Sequence, residues 1–328
     1  MRRPLAVLTT LTLAGALIAA CGSDGDTPSP AAADAEPTFP MTVDNCGRPV
    51  TIDKRPERIL TIGTPVVNAL HAAGAADKVV ARAGEFGSPA PGPAGEAVTA
   101  ARILTAEDPA TELIIGTGVD AVISYGWLET TPQALADAGI AALALSGYCA
   151  EAGGTSTVAS FEDIYADLDL FGRIFGTGER AAGVVAGLKR RVAAVRKQAA
   201  GRSRRSAASA YFFGDTPSTN GNRSMIHAQM EVLGLTNAFG DVDKAFIESN
   251  TEELIKRDPD VIILSYGVLG DKDTFAAAKA KFVALPGARD MQAVRNDRIV
   301  GIRSHLREPD PAAIDGLETL ARELAALS

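Results

Sequence analysis

Residues 112–126 read ELIIGTGVDAVISYG and residues 253–267 read ELIKRDPDVIILSYG. Each stretch opens on an acidic-apolar helix end, passes a turn carrying Asp120 or Asp260, enters an aliphatic strand and closes on Ser-Tyr-Gly. Shared punctuation over fifteen residues predicts two lobes built on one plan. Further short aliphatic runs lie around the pair: RILTI at 58–62, VVA at 79–81, AALAL at 141–145, SAYFF at 209–213 and RIVGI at 298–302. They alternate with helical stretches at 65–73, 131–138, 225–233 and 312–327. Aliphatic runs without polar alternation, separated by helices, indicate parallel strands covered on both faces. The expected fold class is α/β, two lobes with mostly parallel sheets.

Between the lobes, residues 179–201 read ERAAGVVAGLKRRVAAVRKQAAG, and Ala181, Val185, Leu188, Val192, Val195 and Ala199 recur at steps of four and three. That spacing is one stripe of a helix. Glu179 stands at its start and Lys189, Arg190, Arg191, Arg196 and Lys197 toward its end, the signs a helix dipole prefers. Such a helix reaches roughly 33 Å, the width of a lobe, and reads as a rigid spacer rather than a hinge.

The N-terminus has a different character. Arg2 and Arg3 precede an apolar segment from Leu5 to Leu17, as in a secretory signal, and the run is too short for a spanning helix. Ile18-Ala19-Ala20-Cys21 resembles a bacterial lipobox, which implies a lipid on Cys21 after export. The following GSDGDTPSPAAADAEP has almost no bulky apolar residue and reads as a flexible tether. The expected division is signal peptide 1–20, tether 21–40, N-terminal lobe 41–160, helical linker with the spacer 161–202, and C-terminal lobe 203–328. Lys+Arg 32 against Asp+Glu 40 gives a net charge of −8, and no basic stripe is present, which argues against a nucleic-acid partner. With Cys21 lipidated, Cys46 and Cys149 are left as an even pair in an oxidising compartment. A disulfide is the expectation and two buried thiols the alternative.

The opening TVDNCGRPVTIDKRPERILTI at 42–62, followed by a helix and GAADKVVARAG, resembles the class III substrate-binding proteins of ABC importers. FEDIYADLDLFGRIFG at 161–176, the spacer, and VLGLTNAFGD ahead of DPDVIIL extend the resemblance over nearly the whole mature chain. It implies two Rossmann-like lobes bridged by one long helix, with a ferric siderophore, haem or cobalamin held in the cleft. It also implies ABC permease subunits as partners, an extracytoplasmic place on the outer face of the membrane, a monomer, and no catalysis. The DNCG opening, GW after a strand, and TPSTNGNRSMIHA also resemble proteins proposed to bind a deazaflavin-cofactor precursor. In the resembled family an acidic residue on an early helix of each lobe meets permease arginines. Glu231 in QMEVLG fits that pattern; the first-lobe place, in PVVNALHAAG, holds Asn68.

Ligands of open α/β sheets sit beyond the carboxyl ends of the strands, where loops and helix N-termini project. The loops there hold Thr64, Arg82, Tyr125, Gly126, Trp127, Tyr148 and Phe213, then Asp215, Asn220, Asn222, Arg223, Tyr266, Arg303 and His305. Flat rings give contact area at small entropic cost, and arginines fork onto carboxylate, phosphate or catecholate oxygens. The ligand set expected from these is Arg82, Tyr125, Trp127, Tyr148, Phe213, Arg223, Tyr266, Arg303 and His305, with Arg223 and Arg303 the leading cations. The guest is expected to be a bulky, anionic iron chelate, with no resident cofactor or metal. A free divalent metal ion is the minority reading, because His71, His227 and His305 are the whole imidazole supply. No nucleophile elbow, phosphate loop or metalloprotease motif supports an enzyme.

Overall fold

The computed structural model describes residues 37–150, 153, 158–201, 204–248, 251–267 and 274–327; the signal, most of the tether and Cys21 lie outside them. The described chain opens with an antiparallel hairpin, β1 (Met41–Asn45) and β2 (Arg48–Ile52), turning at Cys46 and Gly47. The first lobe follows: β3 (Ile59–Ile62), β4 (Val79–Ala83), β5 (Arg102–Ile103), β6 (Ala121–Ser124) and β7 (Ala141–Ala144), all parallel, in the order 5-4-3-6-7. The second lobe holds β8 (Ser206–Phe213), β9 (Thr216–Thr219), β10 (Thr236–Asn237), β11 (Ile247–Glu248), β12 (Val261–Tyr266) and β13 (Ile299–Arg303). Its main path runs 11-9-8-12-13; β8, β12 and β13 are parallel, whereas β9 returns antiparallel on β8. The described helices are α1 (Thr64–Ala73), α2 (Gly92–Ala97), α3 (Thr111–Ile115), α4 (Pro132–Asp137), α5 (Phe161–Phe175) and α6 (Gly178–Ala199). They continue with α7 (Met225–Val232), α8 (Thr251–Arg257), α9 (Phe275–Val283), α10 (Gln292–Arg295) and α11 (Ala312–Ala326). Among them no helix is long and apolar enough to cross a membrane.

The repeated stretches land on equivalent strands. β6 lies beside β3, and β12 lies beside β8. The two repeated aspartates do the same work in each lobe. Asp120 accepts the backbone N–H groups of Glu57 and Arg58 ahead of β3, at 3.2 and 3.0 Å. Asp260 accepts the N–H and hydroxyl of Ser206 at the start of β8, at 2.8 and 2.9 Å. Each carboxylate thus pins the entry of its neighbouring strand with charge-assisted hydrogen bonds. Asp120→Ala and Asp260→Ala should each lower the free energy of unfolding by about 1–2 kcal/mol. Urea denaturation of the two variants checks this, and a loss confined to one of them would break the equivalence.

Strand alternation feeds separate cores. Along β12, Val261 and Ile263 join one apolar cluster while Ile262 and Leu264 join another. Along β6, Ile123 enters the first of these clusters and Val122 a third. The first cluster runs without a break from Phe171 of α5 through Leu188 and Val192 of α6 to Leu320 of α11. The six stripe residues of α6, from Ala181 to Ala199, are all buried, so this 22-residue helix lies along both lobes. On its outer side Arg191 donates to Glu318 and Asp315 of α11, fixing the rod to the second lobe. A rod packed into one shared core, with each described strand staying in its own sheet, holds the two lobes side by side with their strand ends free to meet.

Candidate functional site

Beyond β7 the chain enters a 3-10 turn, Ser146–Tyr148, that is held from three sides. The Asn45 amide accepts the Ala144 N–H and donates to the Ala144 carbonyl, both at 2.8 Å. The buried Asp167 of α5 accepts the Ser146 N–H at 3.0 Å and its hydroxyl at 2.6 Å. Cys149 is joined to Cys46 by a disulfide, so the expected pairing is present. These holds place the Tyr148 ring edge-on to Tyr125, centroids 5.6 Å apart, and Tyr125 in turn lies where a side chain at Gly63 would stand. Gly63 adopts φ +94, and a Cβ there would sit 2.3 Å from Tyr125 Cδ1, so glycine is required on both counts.

The facing wall comes from the chain after β13. A 3-10 turn, Ser304–Arg307, leads into Glu308, Pro309 and Asp310. Arg307 is buried with its guanidinium 4.4 Å from the Tyr211 ring centroid, and its Nη1 donates to Asn220 Oδ1 at 3.1 Å. Its Nε has no hydrogen-bond partner among the described residues, and Nη2 lies 3.9 Å from Glu308 Oε1. Asn220 is fixed by Ser209, whose hydroxyl donates to it at 2.7 Å, and by its own donation to the Ala245 carbonyl.

The walls touch. Tyr148 donates its hydroxyl to Glu308 Oε2 at 2.6 Å, Asn68 of α1 donates to Asp310 Oδ2 at 2.9 Å, and the Ala159 N–H donates to the Arg223 carbonyl at 3.1 Å. A Cβ on Gly147 would stand 2.4 Å from Pro309 Cβ, so only glycine permits this approach. Around these contacts lies a crevice lined by Tyr148 and Ala159 on one side and by Arg223, Phe246, Arg307 and Glu308 on the other. Burial, and then the Glu308 carboxylate, push the Tyr148 hydroxyl well above the usual tyrosine range, so it acts as a donor.

The residues expected from sequence divide into groups. Tyr148 and Arg223 line the crevice, and Tyr125 backs Tyr148. Arg223 is already engaged, donating through Nε and Nη2 to the two carboxylate oxygens of Asp243. Tyr266 and Arg303 stand opposite each other on β12 and β13, the guanidinium 5.2 Å from the ring centroid, with Phe275 tilted onto the same ring. His305 follows in the 3-10 turn, where burial first and Arg303 second hold it below the usual imidazole range. Trp127 and Arg82 are turned to other partners. Trp127 packs against the disulfide and Ala144, and Arg82 forms a buried ion pair with Glu85 at 3.0 Å. Thr64 donates to the Ser88 carbonyl, and Asp215 pairs with Lys281. Phe213 ends β8, with its side chain outside the described set. The histidines sit in separate elements, His71 on α1, His227 on α7 and His305 after β13, and no three metal-ligating side chains are grouped among the described residues. Glu231 is exposed on α7, with His227 3.6 Å away, whereas Asn68 is buried in the lobe contact. Arg307, Glu308 and Phe246 were not expected; following the last strand beyond His305 to the next helix would have reached the first two.

Two lobes, a rod and a crevice at their strand ends define a solute-capturing protein of the bilobal kind. The family model for periplasmic binding proteins matches residues 59–306, and the chain belongs to that family, the solute-binding components of ABC transporters. A crystal structure of an ABC-type Fe3+-hydroxamate transport system from Saccharomonospora viridis is 36% identical, with a TM-score of 0.76, over 88% of this chain and 99% of that one. An ABC transporter substrate-binding lipoprotein of Bacillus subtilis is 24% identical over 99% of this chain and 98% of its own length. A cobalamin-binding protein of Halobacterium salinarum is 24% identical over 98% of this chain and 84% of its own.

Proposed function

We propose that the crevice between the lobes captures a ferric siderophore or similar metal chelate and presents it to an ABC permease, binding it without turnover. The observation that carries this is the wall-to-wall placement of a fixed phenol and a buried, incompletely matched guanidinium, Tyr148 and Arg307, with Phe246 at the mouth. Such a lining offers aromatic contact and hydrogen-bond donors to a large oxygen-rich guest, and few groups that could drive chemistry. The similarity to a protein of an Fe3+-hydroxamate transport system supports an iron chelate over cobalamin. The lipobox at Cys21 would anchor the mature chain to the outer face of the membrane, and exposed Glu231 would serve as a permease contact.

Calorimetric titration of the purified protein with ferric siderophores, haemin, cobalamin, a deazaflavin precursor and free zinc or manganese tests this reading. Saturable binding of a ferric complex, tighter than about 10 μM, is expected. Binding of cobalamin, haemin or the deazaflavin precursor alone, or of bare metal ions alone, would refute the siderophore assignment.

A further inference from the structure

Resting on the reading above, one residue of the crevice stands apart from its neighbours. Tyr148 and Arg307 are 6% and 7% exposed and each is held by its surroundings, Tyr148 through the pinned turn that carries it and Arg307 by Asn220 and Tyr211. Glu308, between them, has a side chain 22% exposed, and its carboxylate meets the Tyr148 hydroxyl at 2.6 Å and Arg307 Nη2 at 3.9 Å. One carboxylate thus takes a hydrogen bond from one fixed side chain and stands at ion-pair distance from another. We propose that Glu308 is an internal surrogate for an anionic group of the ligand: its carboxylate holds the Tyr148 and Arg307 donors until a carboxylate or catecholate of the guest displaces it.

The charges support an exchange. Arg223, at the same crevice, is already matched by Asp243 through two hydrogen bonds, and Arg82 is matched by Glu85. Nε lacks a hydrogen-bond partner among the described residues in both Arg82 and Arg307, but Glu85 lies 3.0 Å from Arg82 whereas the Glu308 carboxylate stands 3.9 Å from Arg307, which makes Arg307 the loosely matched cation of the crevice. When a ligand anion replaces Glu308, the crevice keeps its net charge, the guanidinium gains a closer partner, and Glu308 swings to solvent. Such a swap favours anionic guests over neutral ones of the same size, because a neutral guest displaces a charge and returns none. It also joins binding to the lobe contact, since the Tyr148–Glu308 hydrogen bond is one of the bonds between the walls.

Glu308→Gln and Tyr148→Phe are titrated beside wild type with ferric tris-catecholate of 2,3-dihydroxybenzoate, ferric tris-acetohydroxamate, and iron-free citrate. A neutral amide cannot compete as an anion, so E308Q should bind the tris-catecholate and citrate about tenfold more tightly, the worth of one charge-assisted hydrogen bond. The neutral hydroxamate should shift less than about twofold, and Y148F should weaken both anions. Equal or weaker binding of the anions by E308Q overturns the surrogate, since Glu308 would then contact the ligand or be idle; so does an equal gain for the neutral complex. If wild type binds neither ferric complex, the chelate reading of the crevice fails, and citrate alone decides the surrogate. Tighter citrate binding by E308Q upholds it, and no citrate binding by either protein sinks it.

Discussion

Serine in place of both Cys46 and Cys149 should lower stability by about 4 kcal/mol, seen as a melting midpoint roughly 10 °C lower. The bridge joins residues 103 apart, and a cross-link over about 100 residues removes roughly 4.7 kcal/mol of unfolded-chain entropy in the loop-closure account. Both cysteines are buried, and Ala144 and Trp127 pack on them, so serine adds a second cost by placing hydroxyls in an apolar cluster. The same variant should brighten Trp127, because a disulfide in contact with an indole quenches its emission. Dithiothreitol on wild type should reproduce both changes. A midpoint within about 2–3 °C of wild type would show that the N-terminal hairpin is fixed without the bridge, by Asn45 on Ala144 and the burial of Val43 and Ile52.

The bilobal plan was legible because it is written in local periodicity. The six-residue stripe of α6 and the aliphatic runs ending in Ser-Tyr-Gly need only spacing to be read, and tertiary packing left them as they stood. β9 was not legible: Thr216-Pro217-Ser218-Thr219 has no aliphatic residue, and it becomes a strand only because the chain folds back on β8 through a tight turn at Gly214. The site was half legible for a related reason. The rule that ligands lie beyond strand ends points to loops that include crevice-lining residues, but it does not say which way each side chain turns. Trp127 comes two residues after Tyr125, yet it packs on a disulfide whose other half lies in the hairpin, far away in sequence. Arg82 is taken up by Glu85, three residues on, and Arg223 by Asp243. Each pairing depends on a partner that no motif announces. Arg307 was missed for the converse reason, since its burial over Tyr211 depends on β8, nearly a hundred residues earlier in the chain.

Wild-type stability should fall as pH rises from 5 to 9, and Asp310→Asn should remove about half of that fall. Asp310 stands ahead of α11, accepting the Ala312 N–H and the Asn68 amide, and is fully enclosed at the lobe contact. Burial pushes its carboxyl from the ordinary 3.8 up to about 8, with the amide and backbone donors pulling back and Glu308 and Asp315 adding to the rise. Asp167, under the Tyr148 turn, is likewise pushed from 3.8 up to about 7 by burial, against the pull of Ser146. A raised acid binds its proton in the folded chain at pH values where the unfolded chain has released it. The stabilising share is therefore complete below the ordinary value and is lost as pH climbs through the folded one. At about 1.4 kcal/mol per unit, the interval from 3.8 to about 8 is about 6 kcal/mol for Asp310, and the interval from 3.8 to about 7 is about 4 kcal/mol for Asp167. Asparagine keeps an oxygen for the Ala312 N–H and cannot ionise, so D310N should outlast wild type at pH 9 and approach it near pH 5. Urea unfolding at several pH values, followed by far-ultraviolet dichroism, measures both curves. A flat wild-type profile, or a D310N profile parallel to it, would mean that the Asn68–Asp310 contact opens to water as the carboxyl ionises, and that the lobes part there without cost.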